Sequence, residues 1–404
     1  MNDLSPRLAR TTLAERLDVM PAVVMSGARQ TGKSTLAKAL DVGRRYYSLD
    51  DLDVLATARR DPETLLGGDR VTLDEVQRAP EILHTVKMDI DRHREAGRFL
   101  LTGSANLLLM NRVSESLAGR ASYVTLWPMT RREQLGLGQA GIWGDLLQHD
   151  ESEWAEIASE SPAPPEDWRG LARRGGFPEP AVHLSDDSER AIWFDGYVRT
   201  YLERDLLNLS AVASLPDFRR LMRAACLRLG QLVNQTELGR DVALPQATAH
   251  RYLNLLETSY LLVRVPAYSV NRGKRLVKSP RLYWSDTGLA LHIAGNPSPT
   301  GAHLENVVLA DLLAWRDTCI PAPEILYWRT VAGDEVDFVI DDGGQLLPIE
   351  VKASRNPRLR DTAGIRSFRK EYSDVARAGL VLHEGDAIEW LAPDVLALPW
   401  WRVV

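Results

Sequence analysis

The chain has 404 residues, enough for two to four domains that each bury a core. Hydrophobic residues at 45% and charged residues at 26% exclude wholesale disorder. The formal net charge of -6 argues against a generally basic nucleic-acid coat protein, although a local basic face remains compatible with it.

Charge is unevenly spread. Residues 1–130 carry 18 basic and 17 acidic side chains, residues 131–300 carry 20 and 21, and residues 301–404 carry 11 and 17. The whole deficit therefore lies in the last quarter. The two cysteines, Cys226 and Cys319, are far apart and form no CxxC pair, which predicts a reducing, cytoplasmic setting. No apolar run approaches the roughly 18 residues a membrane helix needs, so no membrane partner is expected. The opening MNDLSPRLAR lacks the apolar core of a signal peptide. The eight histidines form no HExxH or Cys/His cluster, which argues against zinc.

From the N-terminus, short apolar runs at 21–25, 46–49, 71–73, 99–102 and 122–126 read as five buried strands. Helical patterns fill the gaps, for instance 33–40 and 80–93, the latter with Pro80 near its start. Alternating strands and helices predict an α/β fold with a parallel sheet covered on both faces.

Between the first strand and the first of these helices lie Gly27, Ala28, Arg29, Gln30, Thr31, Gly32, Lys33, Ser34 and Thr35, matching GxxxxGK[ST]. Backbone N–H groups of such a loop wrap phosphates. Lys33 would reach the β- and γ-phosphates, and the Ser34 hydroxyl would bind Mg²⁺, so ATP and Mg²⁺ are the expected cofactors. The third strand ends in Asp74 and Glu75. Asp74 would hold Mg²⁺ through water and Glu75 would polarise the attacking water. The fourth strand ends at Thr102, which with Ser104 is a candidate for positioning that water, or else a strand-end cap. Arg120 precedes the fifth strand. It would either stabilise transition-state charge, in cis or from a neighbouring subunit of a homo-oligomer, or form a structural ion pair.

No Lys or Arg occurs between Arg132 and Arg169, and prolines punctuate this acidic stretch, which reads as a solvated, partly helical connector. A helical segment follows at 190–208. Helices are then expected at 217–229, 235–241 and 245–259, and two strands at 261–265 and 282–284. Three helices and a ribbon resemble a winged helix-turn-helix, with Gln246, Thr248, His250 and Arg251 facing outward. The segment 263–284 holds Arg264, Arg272, Lys274, Arg275, Lys278 and Arg281 and no acidic residue. Two roles fit it: tracking a phosphate backbone, DNA rather than RNA, or docking another domain.

The C-terminal region offers a helix at 301–315 carrying Glu305, a strand with Asp337, a turn at 341–344, and a strand with Glu350 and Lys352 on one face. Two or three carboxylates and a lysine on adjacent elements are a set that can bind Mg²⁺ and activate water. Asp337, Glu350 and Glu305 would be the ligands, and Lys352 would orient the water or stabilise phosphorane charge. The order helix-Glu, strand-Asp, turn, strand-ExK resembles the PD-(D/E)xK nuclease fold, and the glutamate at 305 is similar to that of its resolvase-type members.

The N-terminal motifs resemble the AAA-type P-loop ATPases. The fuller set is GARQTGKST, YYSLDD, LDEVQ, LLTGSAN and SESLAGR, followed by RGGFPEP at 174–180, TYLERDL at 200–206 and KSPRLYWSDTGL at 278–289. Together these resemble bacterial and archaeal ATPases that carry a C-terminal DUF4143 domain. The resemblance implies an AAA-like ATPase core and a separate C-terminal module; with the elements above, the chain divides into an AAA-like core at 1–135, a connector and helical segment at 136–210, a winged-helix-like region at 211–298 and a nuclease-like domain at 299–404. Two functions stay open: an ATP-driven enzyme acting on nucleic acid, or a nucleotide-switched regulatory ATPase whose nuclease-like domain is not catalytic.

Overall fold

The computed structural model describes residues 5–40, 43–103, 117–203, 212 and 214–404. The chain forms two compact units. One comprises Met1–Pro128 with Thr258–Leu261, and the other Met129–Glu257 with Leu262–Val404.

The first unit is built on five parallel strands: β1 (Ala22–Ser26), β2 (Arg45–Ser48), β3 (Val71–Asp74), β4 (Phe99–Thr102) and β5 (Ala121–Thr125). Their order is β2-β3-β4-β1-β5. Strands β1, β3 and β4 are buried along their whole length, which explains their continuous apolar runs. One face packs against the helix Ile82–His93 through Val86 and Ile90, and the other against Ala9–Val19 and Lys33–Ala39 through Leu13, Leu17 and Leu36. The helix expected from residue 80 starts two residues later, at Ile82. Pairing β1 with both β4 and β5 places the loop after β1 where the strand order reverses, the usual crevice for a ligand in an open α/β sheet.

In the second unit, helices Leu215–Cys226, Gln235–Asp241 and Gln246–Thr258 lead into an antiparallel ribbon of β6 (Leu262–Val265) and β7 (Arg281–Trp284). The expected three helices and ribbon are present in that order. Gln246, His250 and Arg251 are exposed, and Thr248 is half-buried. A six-stranded mixed sheet follows, with β8 (Glu324–Arg329), β9 (Glu335–Asp342), β10 (Gln345–Lys352), β11 (Gly379–His383), β12 (Glu389–Ala392) and β13 (Val395–Pro399) in the order β12-β13-β11-β10-β9-β8. Strands β9 and β10 form the expected hairpin. Both turn residues, Gly343 and Gly344, have positive φ, the conformation a tight two-residue turn demands.

The acidic stretch after Arg132 is not a solvated connector. Trp143, Trp154 and Trp168 are fully buried in the second unit. Trp143 Nε1 donates to Asp311 Oδ2 at 2.6 Å, and Trp168 Nε1 to Glu384 Oε2 at 2.8 Å. The acidic groups find cations on neighbouring segments: Glu166 takes Arg131 at 2.8 Å and Arg174 at 2.6 Å. Local charge composition signalled solvent, but burial of three indoles outweighs the ordering of a polar chain. Residues 129–135 belong to this unit as well. Arg131 donates to the carbonyls of Trp401 and Val404, each at 3.0 Å, and Arg132 to that of Arg402 at 2.9 Å. The RGGFPEP and SDTGL motifs form one knot: buried Asp286 caps Leu289 N at 2.7 Å and accepts from Gly176 N at 2.6 Å and Phe177 N at 3.2 Å.

Candidate functional site

The phosphate loop leaves β1 at Gly27, whose φ is +144°. A side chain there would run into the Leu126 carbonyl, so only glycine fits. Gly32, at φ +92°, turns the chain into the helix Lys33–Ala39. The loop borders a cavity of about 300 Å³ lined by Arg29, Gln30, Gly32, Lys33, Ser34, Thr35, Asp50, Glu75 and Arg78. Gly27, Ala28 and Thr31 form the loop's inner wall: Thr31 Oγ1 donates to the Ala28 carbonyl at 2.9 Å.

Lys33 is buried and folds back on its own loop, donating to the carbonyls of Gly27 at 3.1 Å and Ala28 at 2.7 Å. Burial lowers its pKa to about 8, with Glu75 and Asp74 opposing and Arg29 adding to the fall. Asp74, at the tip of β3, accepts from the Tyr46 hydroxyl at 2.6 Å on Oδ2 and from the Thr102 hydroxyl on Oδ1. Thr102 therefore holds Asp74, and its oxygen also accepts from Glu75 N at 3.4 Å. Glu75 sits at φ +59°, in the left-handed region, so its side chain is turned from the strand toward the cavity. Gln77 Nε2 holds that carboxylate, and its pKa is raised by burial first and by Asp74 second.

Three residues join this site without having been singled out by motif. They are Tyr46 on β2, and Asp50 with Arg78, which pair across the cavity mouth. Tyr46 and Asp50 lie inside the YYSLDD stretch, which offered a resemblance but no role. The donor set of a hydroxyl and carboxylates is all oxygen, and an all-oxygen set suits Mg²⁺. Ser34, Asp74 and Lys33 thus fit a magnesium nucleotide.

Arg120 does not join them. Its carbonyl accepts from Ala22 N, at the start of β1, and its guanidinium is held by Asp91 at 2.6 and 3.0 Å. The phosphate loop leaves the other end of that strand, four residues on, or about 13 Å along the sheet. Within one chain Arg120 cannot serve the γ-phosphate. Ser104 and residues 114–116 lie outside the described residues, as do residues 204–206 of the TYLERDL motif.

The C-terminal carboxylates do come together, but around an arginine. Arg281, on β7, reaches Asp337 Oδ1 at 2.8 Å, Glu335 Oε2 at 2.9 Å and Glu305 Oε2 at 3.9 Å. The other Asp337 oxygen accepts from Val351 N at 3.0 Å. Glu305 accepts from the Tyr283 hydroxyl at 2.8 Å. Lys352 pairs with Glu350 Oε1 at 2.5 Å, whereas Glu350 Oε2 is buried without a hydrogen-bond partner. Burial, and next the Asp337 charge, push the pKa of both Glu305 and Glu350 well up. Among the described residues, no three His, Cys, Asp or Glu side chains are grouped so as to hold a metal ion. In this conformation a guanidinium and a backbone amide each hydrogen-bond one Asp337 oxygen, so Asp337 is engaged within the protein.

Half of the basic residues of 263–284 are also neutralised from within, Arg281 among them. Arg275 pairs with Glu324 at 2.8 Å and Asp341 at 3.0 Å, and Arg264 with Glu257 at 3.2 Å. Arg272, Lys274 and Lys278 are exposed.

Three family models match the chain: an AAA domain at residues 20–135, a domain of unknown function (DUF8612) at 165–300, and a domain of unknown function (DUF4143) at 300–403. Uncharacterized proteins of Mycobacterium tuberculosis and Mycobacterium bovis are each 30% identical over 406 residues, spanning 97% of this chain and 83% of their own length. The chain belongs to this family of AAA-domain ATPases with a C-terminal DUF4143 domain. A Haemophilus influenzae protein is 22% identical over 69% of this chain and 65% of its own. Among solved structures, the Walker-type ATPase PABY2304 of Pyrococcus abyssi is 16% identical, covering 72% of this chain and 99% of that one, with a TM-score of 0.42. The Thermotoga maritima RuvB Holliday junction branch migration motor is 19% identical over 67% and 92%, with a TM-score of 0.27. The family match and the loop's geometry make the first unit a P-loop ATPase. Among the described residues no helix is long and apolar enough to cross a membrane.

Proposed function

We propose that this ATPase is a Mg²⁺-dependent, nucleotide-controlled switch whose nuclease-like C-terminal half works by binding rather than by cleaving. The observation that carries the second clause is Arg281, seated on Asp337 inside the carboxylate cluster. In the first unit, Mg²⁺ bound at Ser34 would neutralise charge building on the β- and γ-phosphates. Lys33 leaves its two carbonyls for phosphate oxygens, Asp74 is held in place by the two hydroxyls, and Glu75 polarises the attacking water. In the second unit Arg281 compensates Asp337, and burial holds Glu305 and Glu350 toward their protonated forms, so the cluster serves as a packed polar core.

The test is direct. Purified protein is expected to hydrolyse ATP with Mg²⁺ and to leave DNA and RNA intact with Mg²⁺ or Mn²⁺. Lys33→Ala should abolish ATP hydrolysis while Glu350→Ala leaves it unchanged. Metal-dependent nicking that disappears in Asp337→Ala would overturn this reading in favour of a nuclease, for which the unpartnered Glu350 Oε2 speaks.

A nucleic acid, DNA in the first instance, is the proposed partner. Support comes from the exposed Gln246, His250 and Arg251 on the third helix, and from Arg272, Lys274 and Lys278 on the helical connection between the ribbon's two strands. Duplex binding followed by anisotropy should weaken with salt, and its salt slope should fall by about one for each of these cations replaced. A cytoplasmic location and a homo-oligomer that brings Arg120 to a neighbour's nucleotide belong to the same proposal.

A further inference from the structure

Of the three groups in the phosphate site that no motif accounts for, the Tyr46 hydroxyl is the one that meets Asp74. It lies on edge strand β2 and reaches toward the strand's carboxyl end, donating to Asp74 Oδ2 at 2.6 Å. One phenol thus holds one oxygen of the carboxylate to which the loop chemistry assigns Mg²⁺, with Thr102 fixing the opposite oxygen. Its ring packs against the core cluster that contains Leu36, with the Lys38 ammonium 4.9 Å from the ring centre. A phenylalanine would fill that space equally well. The hydroxyl therefore has a task that packing does not explain.

We propose that Tyr46 is a positioning residue for the nucleotide-bound Mg²⁺, setting the plane of the Asp74 carboxylate before the ion arrives. This inference rests on the reading that Mg²⁺ binds at Ser34 and Asp74. Groups that orient a metal's ligands typically contribute 10–100-fold in metal affinity.

The experiment titrates Mg²⁺ into full-length protein with a fluorescent ATP analogue and compares wild type, Tyr46→Phe and Tyr47→Phe. Tyr47 is the neighbouring residue on the opposite face of the strand and packs with Leu49 and Leu73. For Tyr46→Phe, the Mg²⁺ concentration giving half-maximal binding should rise about 10–100-fold. Nucleotide affinity in EDTA and the melting temperature should match wild type, and kcat should recover at saturating Mg²⁺. Tyr47→Phe should follow wild type throughout. If wild type itself bound nucleotide identically with and without Mg²⁺, the magnesium reading would fall. If wild type were Mg²⁺-dependent and Tyr46→Phe tracked it, or lost affinity equally in EDTA, the role given to Tyr46 would fall instead.

Discussion

Lys33 should make nucleotide affinity depend on pH, in a direction and to an extent set by its burial. In the free protein its pKa is lowered from 10.5 to about 8, first by desolvation. At about 1.4 kcal/mol per pH unit, holding the buried ammonium charged costs about 3 kcal/mol, which its two carbonyl partners do not recover. Phosphate oxygens carry the opposite charge and favour the protonated form, so binding takes up a proton wherever free Lys33 is neutral. The sign follows. Affinity is level below about pH 8 and falls as pH rises, by up to about tenfold per unit and about 300-fold in all if the phosphates restore the ordinary pKa. The assay is equilibrium binding of a fluorescent ATP analogue with saturating Mg²⁺, from about pH 7.5, above the titration of the nucleotide's own phosphate. Lys33→Arg should bind with a flat profile, because a guanidinium does not titrate in this range. Lys33→Met should bind weakly and also flatly. A wild-type profile that stayed level to about pH 10, or an equal slope in Lys33→Arg, would refute the argument.

Arg120→Ala should leave the nucleotide affinity of an isolated chain within about twofold, since its partner Asp91 is an exposed surface pairing at the far end of the sheet; a large loss in dilute monomer would contradict this placement. Arg281→Met strands Asp337 and Glu335, and should destabilise the second unit by about 3–5 kcal/mol in urea unfolding followed by tryptophan fluorescence, partly restored by adding Asp337→Asn. Raised carboxyl pKa values mean that Glu305 and Glu350 hold protons in the folded state at pH values where the unfolded chain has lost them. The stability they confer is present in acid and is lost as pH rises above about 4.3 toward their raised values; Glu350→Gln should flatten that fall.

The phosphate loop was legible because its chemistry is local. Nine consecutive residues, a preceding buried strand and a following helix suffice to form it, and Gly27 and Gly32 stand where the backbone needs them. The third helix and the β9–β10 hairpin were legible for the same reason, since each pattern has a single local period. What a side chain meets across tens of residues was not written in any window. Tyr46 reads as one more strand aromatic until the sheet order brings β2 beside β3 and its hydroxyl onto Asp74. Arg120 reads as a finger until its strand's start is seen at the wrong end of the sheet. The acidic stretch reads as solvated until three tryptophans from it are found in the core.

The C-terminal quartet shows the division most clearly. The sequence by itself determined that Glu305, Asp337, Glu350 and Lys352 would lie on one helix and two adjacent strands, because helical and strand periodicity set which face each occupies. Only the tertiary structure decided what those carboxylates face. Buried charges must be compensated, and the nearest compensating charge, Arg281, arrives from a strand 56 residues before Asp337. No local rule couples positions so far apart; the fold does, by packing the ribbon against the hairpin and leaving the guanidinium as Asp337's partner.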